Sequence, residues 1–368
     1  MSARFLTVVL ERAFNMRDGF GREIDYMRIS VIDSCNLNCY YCNPCDNNEH
    51  CHALNILSVK EVLCIVRAAT RLGIKHFRLT GGEPLLHPQL DEMVLQIKKI
   101  PGVSSVSLTT NAVLLAQHAK WLKEAGIDSI NVSLDTIDAS EYERITKKPL
   151  LEEVKHGINA AIECGIRVKI NVVLTPQTDV VALTRYVAKK GTDIRFIEMM
   201  PVGEGHTNGV EPYKKVIGTL SKLYGEPCRI NTEKTKEINS GNDKRKIPDN
   251  GPAEYYIFPE LGIRVGLIQA IHGKFCDTCN RIRVTADGRL MPCLGSSVTM
   301  DLVPDSWDFA DDVEKDFAIV RALRAAIKAK PRCHNFNDNA VTYTKTTEKK
   351  TTEIEAAEVN AARNMSRI

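Results

Sequence analysis

From residue 26 to about residue 200 the chain alternates strand-like and helix-like runs, and this alternation restricts the fold more than any other feature. The strand-like runs are MRISVID (27–33), KHFRLT (75–80), SVSLTT (105–110), SINVSLD (129–135), RVKINVVL (167–174) and DIRFIEM (193–199). Between them lie helical patterns at 58–73, 89–99, 113–125, 151–164 and 180–190. The first opens on Ser58 with Glu61 three residues on, a capping-box pattern, and its apolar residues recur at three- and four-residue steps. Repeated β-α units predict a parallel sheet with right-handed crossovers. Curled, six such strands make an incomplete (β/α)6 TIM-like barrel, open at its side to a large substrate. An open doubly wound sheet has the same periodicity.

The reactive and small residues cluster where barrel logic puts a site, just past the strands. Cys35 follows the first strand, and Gly81, Gly82 and Glu83 follow the second. Thr109 and Asn111 end the third, Ser133 and Asp135 the fourth, and Met199 and Met200 the sixth. The barrel is expected to occupy 18–228. A polar, turn-rich linker follows at 229–250, then a C-terminal α+β extension at 251–368 that carries a second cysteine group. In the extension EYYIFPELGIRVGLIQAI alternates as antiparallel strands do, and the charged, low-complexity stretch from 342 reads as a solvated tail.

The chain has 12 cysteines. The run FLTVVL (5–10) is too short for a signal core or a membrane span, so a cytoplasmic setting is expected, where metal binding explains clustered cysteines better than disulfides do. A net charge of +3 does not suggest a nucleic-acid or membrane partner. Cys35, Cys39 and Cys42 form C-x3-C-x2-C, and Cys276, Cys279 and Cys293 form C-x2-C-x13-C. A structural zinc site takes four ligands, so each group is one short, although His50 or His52 could complete the first. A [4Fe–4S] cluster held by three cysteines keeps one iron open for a small molecule. Cys45 and Cys51 lie near the first group, whereas Cys64, Cys164, Cys228 and Cys333 stand alone. Arg281 and Arg283 face the same side of a strand, which suits a phosphate clamp or simply an exposed face.

The first cysteine group, with Tyr41 before its last cysteine, resembles the radical S-adenosylmethionine enzymes, and so does GGEP at 81–84. A longer series resembles the GTP 3′,8-cyclase family of molybdenum cofactor biosynthesis. It comprises DGFGREIDYMRISV (18–31), FRLTGGEPLLHP (77–88), LTTNA (108–112), INVSLDTID (130–138), VKINVV (168–173), IRFIEMMPVGEG (194–205), GPAEYY (251–256) and FCDTCNRIRVTADGRLMPCL (275–294). The resemblance implies two [4Fe–4S] clusters, one on Cys35, Cys39 and Cys42 and one on Cys276, Cys279 and Cys293. It implies S-adenosylmethionine contacts at Tyr41, Gly82, Ser133 and Met200. GTP contacts are implied at Arg28, Arg78, Thr109, Lys169, Arg281, Ile282 and Arg283. It further implies cyclisation of GTP to (8S)-3′,8-cyclo-7,8-dihydroguanosine 5′-triphosphate through a 5′-deoxyadenosyl radical. The implied partners are cyclic pyranopterin monophosphate synthase as the next enzyme, a flavodoxin- or ferredoxin-type reductant, and a second copy of the chain in a homodimer. That family ends in a Gly-Gly tail after a segment like NMSRI, whereas the present sequence runs to Ile368. Two other readings are a radical enzyme with an auxiliary cluster acting on another substrate such as a peptide, and a zinc-stabilised binding module.

Overall fold

The computed structural model describes residues 16–42, 55–202, 209–230, 251–296, 298–302, 312–334 and 336. Cys45, Cys51, most of the expected linker and the tail lie outside the described residues. The first half runs β1 (Tyr26–Ser30), α1 (Val59–Arg71), β2 (His76–Thr80), α2 (Leu90–Lys98), β3 (Ser105–Thr110), α3 (Leu115–Glu124) and β4 (Ser129–Ser133). Then come α4 (Ala139–Thr146), α5 (Leu151–Glu163), β5 (Val168–Leu174), α6 (Val180–Lys189) and β6 (Asp193–Glu198). The capping box on α1 forms as the sequence suggests: Ser58 Oγ accepts from Glu61 N, and Glu61 accepts from Ser58 N. Helix α4 is an addition to the expected pattern. Asp138 caps it by accepting from Glu141 N, and Lys147 ends it in the left-handed region.

The second half adds α7 (Gly218–Tyr224), β7 (Cys228–Arg229), β8 (Glu254–Ile257), β9 (Arg264–Ile268), β10 (Arg281–Val284), β11 (Arg289–Met291), β12 (Met300–Asp301) and α8 (Asp312–Lys328). Arg229, expected at the start of the linker, pairs with Tyr256 as part of β7. One 12-stranded sheet results, in the order β12-β11-β10-β1-β2-β3-β4-β5-β6-β9-β8-β7, and it does not close. The strands β1 to β6 are parallel neighbours in chain order. The extension does not sit apart: β10 pairs parallel with β1, and β9 pairs parallel with β6. The two edges of the arc, which would present unpaired backbone groups, are thereby covered.

Alternate residues along each strand divide the sheet into two faces. One set, including Met27, Ile29, Phe77, Leu79, Val106, Leu108, Ile130, Val132, Ile170 and Phe196, is buried with the apolar faces of the helices in one core. The other set, including Arg28, Arg78, Ser107, Thr109, Asn131, Lys169, Asn171 and Arg195, is polar and lines one cavity. Residues of β1, β10 and β6 share that cavity, so the sheet curves around it.

Candidate active site

The first cysteine loop is built by backbone pairing. Gly82 N donates to Ile32 O at 2.7 Å, and Glu83 N donates to Ser34 O at 2.7 Å, so residues 81–83 run alongside the strand that leads to Cys35. A Cβ on Gly82 would lie 2.2 Å from Ser34 O, and one on Gly81 would lie 2.5 Å from Ile32 O. The paired glycines are therefore required by close approach of backbone. Glu83 is buried and accepts from Leu85 N, Thr110 Oγ1 and Asn111 N at 3.1, 2.6 and 2.7 Å. Burial pushes its carboxyl up to about 7 against those hydrogen bonds. The far end of the loop hangs on α4: Asn38 N donates to Thr146 O, and Tyr40 N donates to Ile145 O. Cys42 N then donates to Cys39 O at 2.9 Å, closing a turn.

Around this loop the charge is acidic. Tyr41 donates its hydroxyl proton to Asp135, whose other oxygen accepts from Val173 N at 2.7 Å. Burial pushes Asp135 up to about 6. Burial first, then Asp135, raises the thiols, Cys39 to about 12 and Cys42 above its ordinary value. Burial also raises Cys35, with Glu83 adding to it.

The second cysteine group sits among cations. Cys276–Thr278 form a short turn, Cys279 N donates to Cys276 O, and Cys293 follows β11. Burial pushes the Cys279 thiol up, but Arg281 and then Lys330 overcome it and bring it down to about 7. Cys276 is raised by burial, with Cys293, Cys279 and Cys333 contributing. Cys333, which stands alone in the sequence, therefore lies beside this group.

The strand register explains the cationic wall. Arg28 on β1 is flanked by Arg283 on β10 and Arg78 on β2, so three guanidinium groups stand abreast on one rung facing the cavity. One step down the strand, Arg281 is the partner of Tyr26. Arg78 Nε donates to the Tyr26 hydroxyl, and Arg78 Nη1 donates to Leu108 O at 3.3 Å. Burial first, then Arg283, holds Arg28 well below its ordinary range, and its Nε has no hydrogen-bond partner. Such crowding of buried guanidinium groups is relieved by a polyanion.

All ten cysteines among the described residues are free. No three Cys, His, Asp or Glu side chains among them gather closely enough to hold a single metal ion. In each triad the three sulfurs nevertheless lie within electrostatic range of one another, Cys35, Cys39 and Cys42 on one loop, and Cys276 and Cys279 on a turn with Cys293 beyond β11. Three thiols within the eight residues 35–42 suit thiolates bound to separate irons of one cluster better than a tetrahedral zinc ion, which takes a fourth ligand. The cradle at Gly81 and Gly82 and the three thiols together fit a [4Fe–4S] cluster.

The cavity, of about 350 Å³, gathers Cys276, Cys279, Cys293, Arg28, Arg78, Thr109, Lys169, Arg281, Arg283, Ser133 and Met200 from the residues singled out in the sequence. Cys35, Cys39, Cys42, Tyr41 and Gly82 are not in its lining; they adjoin it through Asp135, which is. Ile282 points to the opposite face and is buried in the core. The lining also holds Asn131, Arg167, Asn171, Arg195, Lys330 and His334, which the sequence reading passed over. Polar residues at every second position of β4, β5 and β6 were the available signal.

The family model described as Radical SAM superfamily matches residues 29–182, a span that holds strands β2 to β5, the first triad and the double-glycine loop. A second model, Molybdenum Cofactor Synthesis C, matches residues 192–336. Among solved structures, Streptococcus suis SuiB bound to precursor peptide SuiA superposes with a TM-score of 0.55 at 14% identity, covering 88% of this chain and 69% of that one. Native anSMEcpe with bound AdoMet superposes with a TM-score of 0.50 at 17% identity, covering 82% of this chain and 84% of that one. These likenesses define a radical S-adenosylmethionine fold. A GTP 3′,8-cyclase of Clostridium perfringens is 35% identical over 87% of this chain and 95% of its own length. One of Listeria monocytogenes is 36% identical over 87% of this chain and 92% of its own length. The chain belongs to the GTP 3′,8-cyclase family.

Proposed function

We propose that the chain cyclises GTP to (8S)-3′,8-cyclo-7,8-dihydroguanosine 5′-triphosphate, the first step of molybdenum cofactor biosynthesis. The observation that carries this reading is a single cavity with the Arg283–Arg28–Arg78 rung and the second triad in its wall, and with the first triad next to it through Asp135. When bound, a [4Fe–4S] cluster on Cys35, Cys39 and Cys42 supplies the electron that splits S-adenosylmethionine into methionine and a 5′-deoxyadenosyl radical. The residues of the chain position and shield the reactants.

Arg28, Arg78, Lys169, Arg281 and Arg283 neutralise the triphosphate by charge-assisted hydrogen bonds. Thr109, within 3.4 Å of Arg78 Nη1, holds that guanidinium toward the cavity. Cys276, Cys279 and Cys293 would hold a second [4Fe–4S] cluster in the wall of the cavity that Ser133 and Met200 also line, with an open iron for the guanine base. Ser133 and Met200 contact S-adenosylmethionine, and Tyr41 and Gly82 set the loop it meets. Ile282 acts from the core by keeping Arg281 and Arg283 pointed into the cavity. The described residues include no helix long and apolar enough to cross a membrane. A flavodoxin- or ferredoxin-type protein is the reductant, cyclic pyranopterin monophosphate synthase takes the product, and two copies of the chain associate. The row of arginines favours a nucleotide triphosphate over a peptide as substrate.

The test is an anaerobic incubation of iron-reconstituted protein with S-adenosylmethionine, dithionite and GTP deuterated at C3′, followed by mass spectrometry. A parallel sample carries Gly-Gly appended after Ile368. The reading requires a GTP isomer formed together with 5′-deoxyadenosine that contains the deuterium. Protein with both centres loaded that makes neither compound in either sample would refute it.

A further inference from the structure

Lys330 lies two residues beyond α8 and is almost completely buried, with 3% exposure. Its Nζ donates to Arg281 O and to Pro292 O, both at 2.8 Å. Arg281 is two residues past Cys279, and Pro292 is next to Cys293. One ammonium therefore ties together the two strands that present these cysteines. A neutral amide could bridge two carbonyls equally well, so the buried charge calls for an anionic partner. Among the described residues no carboxylate forms an ion pair with it. Burial disfavours its charge, and the sulfurs of Cys279 and Cys293 are the nearby groups that favour it.

The segment holding Lys330 is fastened independently. Arg22, buried behind β1, donates from Nη1 to Arg332 O at 2.9 Å and from Nη2 to Pro331 O at 2.6 Å. The same Nη1 donates to Cys276 O at 2.7 Å, while Nε is paired with Asp18. All three cysteine-bearing pieces thus attach to one short strap, Cys276 through Arg22 and the other two through Lys330.

We propose that Lys330 is a positioning residue of the second centre, holding Cys279 and Cys293 in place and supplying the fixed positive charge that offsets the charge of the cluster they bind. The inference rests on the reading that this triad holds an iron–sulfur cluster. A positive charge beside a cluster favours its reduced form and raises its midpoint potential.

The experiment is an anaerobic redox titration of the fully loaded enzyme followed by electron paramagnetic resonance, with iron counted per chain. The signal perturbed by GTP reports the second centre, and the other reports the first. Lys330→Gln keeps donors for the carbonyls and removes the charge, whereas Lys330→Arg keeps the charge. The expected result is a midpoint shifted to more negative potential in Lys330→Gln for the GTP-sensitive signal alone, with Lys330→Arg near the parent. An unchanged midpoint in Lys330→Gln, or an equal shift in both variants, overturns the proposal. Should Lys330→Gln lose the GTP-sensitive signal and about half its iron, recovery of both in Lys330→Arg supports it, and no recovery counts against it. If the parent protein has no GTP-sensitive signal, the cluster reading itself fails and takes this inference with it.

Discussion

The loop of Cys35, Cys39 and Cys42 is backed by the buried carboxyls of Glu83 and Asp135, whereas Cys276, Cys279 and Cys293 sit among Arg281, Arg22 and Lys330. The first surroundings push Cys39 up to about 12, and the second bring Cys279 down to about 7. Both triads offer three thiols, so ligand count does not distinguish them. Net charge, hydrogen bonds and exposure set the potential of an iron–sulfur centre. An ionised Asp135 beside the first triad would make a cluster bound there a stronger reductant, as cleavage of a sulfonium needs. Cations beside the second would offset the negative charge of whatever those thiolates hold.

The largest expected effect separates the two triads. Cys39→Ser should reduce 5′-deoxyadenosine formation to background, while Cys279→Ser should retain it and lose only the cyclised nucleotide. Both products are quantified by mass spectrometry, and equal loss of 5′-deoxyadenosine in the two variants would break the comparison. A second contrast concerns the glycines beside each triad. Gly82→Ala drives a Cβ to 2.2 Å from the Ser34 backbone oxygen. Gly295→Ala meets the side chains of His334 and Phe336 at 2.7 and 2.8 Å, and side chains give way more easily than backbone. Gly82→Ala is expected to cost about 3–4 kcal/mol and to empty the first centre. Gly295→Ala is expected to cost about 1–3 kcal/mol. Urea unfolding midpoints and iron content rank the two, and a reversed order would show that the first loop can move aside.

The smallest effect is a pH dependence. Burial raises Glu83 from an ordinary 4.5 to about 7 in the fold, so the folded state holds its proton more tightly than the unfolded chain does. The stabilisation from that proton is complete below pH 4.5 and is lost as the pH climbs through 7. Glu83→Gln, which cannot ionise, should remove a fall of up to about 3 kcal/mol between pH 4.5 and 7.5. Asp135, raised to about 6, leaves a residual fall of the same sign. Urea titrations of the iron-free protein at both pH values measure the difference. Identical falls in parent and variant would mean that the three hydrogen bonds keep Glu83 ionised throughout.

The six parallel strands and both cysteine groups were legible because each is written in local periodicity or spacing, whereas the curl of the sheet into an arc was not, since an open doubly wound sheet has the same periodicity. The antiparallel β8–β9 pair was as plain as the parallel strands. Helix α4 was missed although Asp138 and Glu141 stand at capping spacing, because its eight residues carry only a short apolar stripe. That helix is what the first cysteine loop hangs on. The placement of β10 beside β1 was not legible at all, since register between strands so far apart in the chain leaves no local mark. The Arg283–Arg28–Arg78 rung follows from it. Lys330 reads in sequence as a solvated charge after a helix, the usual reading of a lysine there. Only tertiary packing takes it inside.

The pairing of β10 with β1 also sets an order of events during synthesis. Strand β1 emerges early, and its neighbour on one side, β2, soon after; its other neighbour is made some 250 residues later. At ribosomal rates of about 5–20 residues per second the open edge of β1 waits roughly 10–50 s for its partner. Throughout that interval a nascent chain offers a bare strand to any other chain, and yield in the cell should depend on how well that edge is guarded.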